Sequence, residues 1–261
     1  MYAFDFERPK TIAEAVKAMS REDAQALGGG QTLIPTLKQR LASPSVLVSL
    51  NGIKEMIGVR KDGDTLVIGG ATPHAVVAKE AAAAYPVLAA LAGAIGDPSV
   101  RSRGTIGGSV ANDDPAADYP AAVLASGATV VTNARKIAAD DFFQGLFTTA
   151  LETGEIITEI RFPIPVKANY QKFQQPASRF ALTGVFVAKT AGGVRVAVTG
   201  AAEDGVFRWS DAEKALSSNF AASAIAGLKV LADGMIADLH GSPDYRAHLV
   251  KVLTGRAVAA A

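Results

Sequence analysis

Apolar and polar positions along this chain change period every ten residues or so, which predicts many short elements rather than a few long ones. Ile12, Ala15, Val16 and Met19 recur at helical spacing. Thr11-Ile12-Ala13-Glu14 ahead of them reads as a capping box, with Thr11 as N-cap and Glu14 at the third helical position. Residues 24–27 look like a strand that feeds a glycine cluster. A helical turn follows over 37–41 and a second strand over 46–50. This first unit is a small α/β layer that ends near Asn51-Gly52.

A second unit opens with a strand over 65–68, closed by Gly69-Gly70. Two alanine-rich helices follow over roughly 72–84 and 86–95, with Pro86 suited to a first helical position. A helix is expected near 115–124, then strands over 129–132 and 156–162. Pro163 and Pro165 mark a boundary, because proline excludes both helix interior and central strand. Beyond it, 185–188 and 194–198 read as a hairpin joined across Gly192-Gly193, followed by helical stretches near 210–216, 221–233 and 243–253. The expected organisation is α+β: residues 1–165 as one domain with subdomains of about 1–55 and 56–165, then residues 166–261 as a smaller domain of antiparallel sheet plus helices.

Composition narrows the function more than the fold. The 261 residues are 49% hydrophobic and 20% charged, with a net charge of +1, as in a folded soluble protein. No basic run interleaved with aromatics is present, which argues against nucleic acid as a partner. The chain has no cysteine, so it holds no disulfide, no cysteinyl-linked cofactor and no iron–sulfur cluster on its own thiolates. His74, His240 and His248 show no ligand spacing, so no metal site is expected. The first residues lack a signal-peptide pattern and the uncharged stretch 81–96 is too short to span a bilayer, so a cytoplasmic protein is expected.

Two glycine-rich stretches carry the candidate chemistry. Gly28-Gly29-Gly30-Gln31-Thr32 is the first; Gly104-Thr105-Ile106-Gly107-Gly108-Ser109, running into Asn112-Asp113-Asp114-Pro115 and Asp118, is the second. Glycine permits φ > 0 and lets backbone N–H groups approach a ligand that a Cβ would hold off. Neither stretch is a dinucleotide-binding G-x-G-x-x-G or a P-loop. Taken alone, each is also a plain tight turn; together with a nearby acidic residue they suit a long anionic ligand bearing sugar hydroxyls. A carboxylate repels a diphosphate but accepts hydrogen bonds from hydroxyls. Asp118 is accordingly expected at the ligand and Asp113 as the N-cap of the next helix.

These residues resemble a known family. Ala26-Leu27-Gly28-Gly29-Gly30-Gln31-Thr32-Leu33-Ile34-Pro35 resembles the first FAD motif of the flavin-binding medium subunits of molybdenum hydroxylases. Val100-Arg101-Ser102-Arg103 through Ser109, with Asp114-Pro115-Ala116-Ala117-Asp118, resembles the second, and 244–249 is similar to the family's final helix. The pattern is nearest to the medium subunits of aerobic carbon monoxide dehydrogenase and of bacterial xanthine dehydrogenases. The resemblance implies a two-subdomain FAD-binding fold of the p-cresol methylhydroxylase type, followed by the small C-terminal domain. It implies non-covalent FAD, with its diphosphate at the first motif and Thr105–Ser109, and Asp118 on its sugar hydroxyls. Ile95 and Ile157 match apolar contacts to the flavin, and Lys172 matches a lysine that reaches the cofactor.

Read without the family, Ile95 and Ile157 are core positions and Lys172 a solvated strand lysine. A fixed positive charge near a flavin would raise its potential. Gln174-Gln175-Pro176-Ala177-Ser178-Arg179-Phe180 departs from relatives, which carry a basic run and then an aspartate there. His74 is a loop histidine before a helix, or a covalent flavin anchor of the kind found in the wider superfamily. The resemblance implies an electron-transfer subunit, with molybdopterin on a large partner and two-iron two-sulfur clusters on a small one, assembled as a dimer of heterotrimers. An aerobic carbon monoxide dehydrogenase-like complex is the first choice. The alternatives are a xanthine, aldehyde or N-heterocycle dehydrogenase, a self-sufficient flavin oxidase or reductase, and a flavin-free scaffold.

Overall fold

The computed structural model describes residues 1–261. Its first layer holds β1 (Asp5–Glu7), α1 (Ile12–Met19), β2 (Ala24–Leu27), α2 (Leu33–Lys38) and β3 (Val46–Ser49), with the strands parallel in the order β1-β3-β2. The Thr11 hydroxyl accepts from the Glu14 amide at 3.1 Å, as the capping box requires. The Glu14 carboxylate reaches back to the Lys10 amide at 2.7 Å, one residue earlier than the usual partner. Ala15 and Met19 then bury the apolar stripe of α1 against Val46, Val48 and Ile53.

The second layer contains β4 (Val59–Asp62), β5 (Thr65–Gly69), α3 (His74–Glu80), α4 (Pro86–Gly93), α5 (Pro98–Arg103), α6 (Ile106–Asn112) and α7 (Tyr119–Ala125). It continues with β6 (Thr129–Thr132), β7 (Lys136–Ala138), α8 (Ala139–Phe142), the small hairpin β8 (Phe143–Gly145) and β9 (Thr148–Thr149), and β10 (Ile157–Pro163). Its sheet is antiparallel, ordered β4-β5-β10-β6-β7. Every residue of α7 is buried. Its sequence, YPAAVLA, offers no polar face, which suits a helix wedged between layers. Helix α7 starts later than expected because Asp114 holds the Ala116 amide in a turn at 2.9 Å.

The third layer is an antiparallel sheet of β11 (Lys167–Gln174), β12 (Ala181–Thr190), β13 (Gly193–Ala202) and β14 (Gly205–Arg208), covered by α9 (Ser210–Ser218) and α10 (Pro243–Ala260). Phe186, Ala188 and Ala197 face the core of the second layer, while Val185, Val187, Val196 and Val198 face α9 and α10. Burial on both sides explains why residues 185–188 of β12 read as an unbroken apolar run rather than an alternating one. The expected helix over 221–233 is absent; only a 3-10 turn, Ala222–Ile225, forms there. That stretch offers alanines but no N-cap bond and only one buried side chain in the turn. No helix is long and apolar enough to cross a membrane.

Candidate functional site

A cavity of about 640 Å³ opens where the first and second layers meet. The loop from Gly28 to Leu33 forms one wall; Gly104, Thr105, Gly107, Gly108, Ser109 and Asn112 form the opposite one. Its apolar end is built from Ile95, Leu151, Ile156, Ile157 and Phe180. The two glycine motifs touch directly: a Cβ on Gly29 would lie 2.0 Å from the Arg103 carbonyl, and one on Gly28 would lie 2.7 Å from the Thr105 hydroxyl. Their closeness is thus set first by backbone packing.

The first motif carries unsatisfied donors. None of the backbone amides from Gly28 to Leu33 donates a hydrogen bond within the protein. The loop is held instead through its carbonyls: Asn51 donates its side-chain amide to Gly28 at 3.0 Å, and Gln31 donates to Gly29 at 3.3 Å. Gly30 supplies the turn, at φ 72°. The wall contains no lysine or arginine, while Asp114, Glu152 and Glu155 do line it. An anion in this cavity would therefore be held by backbone N–H groups.

The second motif is built differently from the expectation of a φ-permissive nest. Gly107 and Gly108 lie in the first turn of α6, which Thr105 caps by accepting from the Gly108 amide at 3.2 Å. The amides of Ile106, Gly107 and Ser109 go to Thr72, Gly70 and Thr105 carbonyls. The free donors on this wall are the Thr105 amide and the side chains of Ser109 and Asn112.

Among the residues expected at the site, Ile34, Ile106, Asp118 and Lys172 do not line the cavity. Ile106 is a core residue, and Ile34 packs beside Gly30. Asp118 accepts hydrogen bonds from the Tyr170 hydroxyl and from the Lys172 ammonium at 3.1 and 3.2 Å, and Lys172 also donates to the Ala94 carbonyl at 3.1 Å. This buried trio stands one residue behind Ala117 and Ile95 of the wall. Burial is the largest influence on the Asp118 carboxyl and pushes it up, opposed by Lys172 and Tyr170. Gly184 makes room for the arrangement, since a Cβ there would meet the Tyr170 hydroxyl at 2.4 Å.

Asp113 is not an N-cap. It ends α6 in the left-handed region at φ 43°, buried, with neither carboxylate oxygen hydrogen-bonded. Burial, aided by Asp114, raises its carboxyl to about 7. An acid raised in the folded state stabilises fully below its unfolded value and loses that contribution as pH rises through about 7. Asn suits the same backbone conformation. Asp113→Asn is therefore expected to raise the urea midpoint at pH 8 relative to wild type and to leave it little changed near pH 4. An equal difference at both pH values would contradict the assignment.

Several wall residues gave no sequence signal. Phe180 lies between β11 and β12, and Leu151 and Ile156 lie together between β9 and β10; none belongs to a motif, although Ile156 is expected to open a strand. His74 had been weighed as a loop residue or covalent anchor; it is the first residue of α3, buried, and on the cavity wall.

Comparison with known proteins agrees with this geometry. Residues 2–165 match the family described as "FAD binding domain in molybdopterin dehydrogenase". The carbon monoxide dehydrogenase medium chain of Afipia carboxidovorans is 34% identical, over 98% of this chain and 96% of that protein. The nicotine 6-hydroxylase medium subunit of Paenarthrobacter nicotinovorans is also 34% identical, over 98% of this chain and 96% of its own length. Among solved structures, a carbon monoxide dehydrogenase from Hydrogenophaga pseudoflava lacking the Mo-pyranopterin moiety aligns with a TM-score of 0.89 at 34% identity, covering 100% of this chain and 97% of that one.

Proposed function

The chain belongs to the family of FAD-binding domains of molybdopterin dehydrogenases, and from that premise we propose that it is the electron-relay subunit of a three-subunit molybdenum hydroxylase. The observation that carries the reading is the cavity between the two glycine motifs, with its unbroken run of unbonded amides from Gly28 to Leu33. Those donors suit a diphosphate, and the cavity's volume lies in the range of cofactor sites. Ser109 and Asn112 would hold hydroxyls, and Ile95, Leu151 and Ile157 would exclude water from the flavin. Residues 1–165 would carry the FAD non-covalently, with 166–261 closing the wall from behind.

Bound FAD supplies the exchange between single-electron and paired-electron transfer. This chain's residues position it and shield it. Lys172, paired with Asp118, is fixed behind Ile95 through its bond to the Ala94 carbonyl. With no cysteine in the sequence, iron–sulfur clusters would lie on a small partner and molybdopterin on a large one, in two copies of each heterotrimer. Relatives act, by their names, on substrates as different as carbon monoxide and nicotine. A substrate site on a partner accounts for that spread, with a carbon monoxide dehydrogenase-like complex as the first choice and a quinone, NAD or oxygen as acceptor.

A self-sufficient flavoenzyme would need its own acid–base pair. The cavity's carboxylates are all committed elsewhere. Arg135 hydrogen-bonds Glu155 and holds it at about 2; it also pairs with Glu152 at 3.2 Å. Asp114 caps the Ala116 amide, and burial keeps His74 neutral. The test is to purify the native complex, release flavin with acid, and count FAD per chain. One FAD on this chain, together with molybdenum and iron on two others, is expected. A chain that holds no flavin even after reconstitution would overturn FAD binding; one that purifies without such partners would overturn the relay.

A further inference from the structure

His74 lies on the cavity wall with about 4% of its surface exposed. Its Nδ1 is sealed in the protein and has no hydrogen-bond partner. The ring's other nitrogen, Nε2, sits against the second glycine motif, so close that a Cβ on Gly104 would lie 2.6 Å from it. The backbone fixes this placement, because the His74 amide donates to the Gly104 carbonyl at 2.9 Å. The ring also rests at 5.3 Å, centroid to centroid, from Tyr119. Its nitrogens are thus unequal: Nδ1 is enclosed and unpartnered, while Nε2 lies against Gly104, itself a residue of the cavity wall.

A buried N–H without an acceptor costs more than a buried lone pair without a donor. The neutral ring therefore carries its proton on Nε2, where the cavity offers room for an acceptor. Protonation of both nitrogens is opposed by burial and by the nearby Arg101, which bring the imidazole down to about 4. A neutral donor held beside Gly104, with no acceptor in the protein, is of little use to the apo fold. It supplies what the second motif lacks, since the amides of Ile106, Gly107, Gly108 and Ser109 are already spent inside the protein.

We propose that His74 is a cofactor-binding residue whose Nε2–H donates to a phosphoryl oxygen of the dinucleotide diphosphate across Gly104. The inference rests on the FAD reading above. On this view the diphosphate is held from two sides: amides of Gly28–Leu33 on one, and a side-chain imidazole with the Thr105 amide on the other.

FAD dissociation constants of the full-length chain decide it, measured on wild type, His74→Phe and His74→Gln after removal of flavin. His74→Phe keeps the ring's shape and removes the donor, and is expected to weaken FAD by about 10- to 100-fold, the usual worth of a hydrogen bond to a charged group. His74→Gln restores an N–H and is expected to recover most of that loss. ¹⁵N spectra of histidine-labelled wild type are expected to show the Nε2–H tautomer, with that resonance moving when FAD is added. Equal affinity of His74→Phe and wild type would overturn the proposal, as would a His74 resonance indifferent to FAD; the second result decides the matter even if the Phe variant fails to fold. Wild type that binds no FAD would instead remove the parent reading.

Discussion

Gly107→Val is expected to lower the melting temperature and abolish FAD retention, whereas Gly108→Val should lose FAD with the fold intact. The two glycines are neighbours in sequence but serve different ends. Gly107 is buried, and a Cβ there would lie 2.5 Å from the Gly70 carbonyl, with the Gly70 Cα and carbonyl carbon at 3.0 Å. Those are backbone atoms at the end of β5, held in turn by the Gly107 amide's own bond to the Gly70 carbonyl at 2.9 Å. Forcing them apart carries the penalty of an overpacked core, about 1–3 kcal/mol or more, or several degrees in a chain of this size. Gly108 is exposed to the cavity, and its Cβ would meet only the Thr105 hydroxyl, at 3.0 Å. A side chain there fills ligand space and leaves the seam alone. Calorimetry with a flavin count on each variant checks both arms. A Gly107→Val protein with unchanged melting temperature and full FAD would remove the seam between β5 and α6 from this account.

Lys172→Ala is expected to destabilise the fold by about 3–5 kcal/mol, the usual consequence of stranding one member of a buried ion pair. Both partners are nearly enclosed, with side-chain exposures of 6% for Lys172 and 5% for Asp118. Without the ammonium, Asp118 keeps only the Tyr170 hydroxyl, and its carboxyl rises further toward the neutral form. Lys172→Met combined with Asp118→Asn removes both charges and is expected to recover much of the loss. Urea unfolding of Lys172→Met, Asp118→Asn and the double variant measures the coupling. Additive effects across that cycle would mean the pair does not act as a unit.

The local signals in the sequence were read well where one element sufficed to define them. Thr11 and Glu14 cap α1, Pro86 opens α4, and Gly192-Gly193 lies at the turn between β12 and β13. Strand β11 is legible at Lys172 alone, which reads as a strand lysine; its bounds are not, because Lys167, Asn169, Gln171 and Gln174 look like loop residues and their pairing with β12 is a tertiary fact. Both glycine motifs line the cavity, but the use made of each amide is not visible in the sequence. Gly107 is spent on Gly70, and Asp113 terminates a helix rather than starting one. Both outcomes depend on partners from other parts of the chain or on a backbone sign that residue type alone does not set. The apolar end of the wall, with Phe180 and Leu151, has no motif because any apolar residue arriving from those loops would serve.

The loop between α6 and α7 is fastened from the far side. The Thr199 hydroxyl donates to the carbonyls of Pro115 at 3.0 Å and Ala117 at 2.6 Å, and the Gly200 amide donates to Pro115 at 2.6 Å. Gly200 in turn has its carbonyl gripped by Arg246 of α10 at 2.6 Å. A wall of the cavity is therefore the edge of a lattice that ends in the last helix, so that steadying the wall and steadying that helix favour one another reciprocally. Occupancy of the cavity becomes legible as slowed amide exchange in β13 and α10, in segments that no ligand touches.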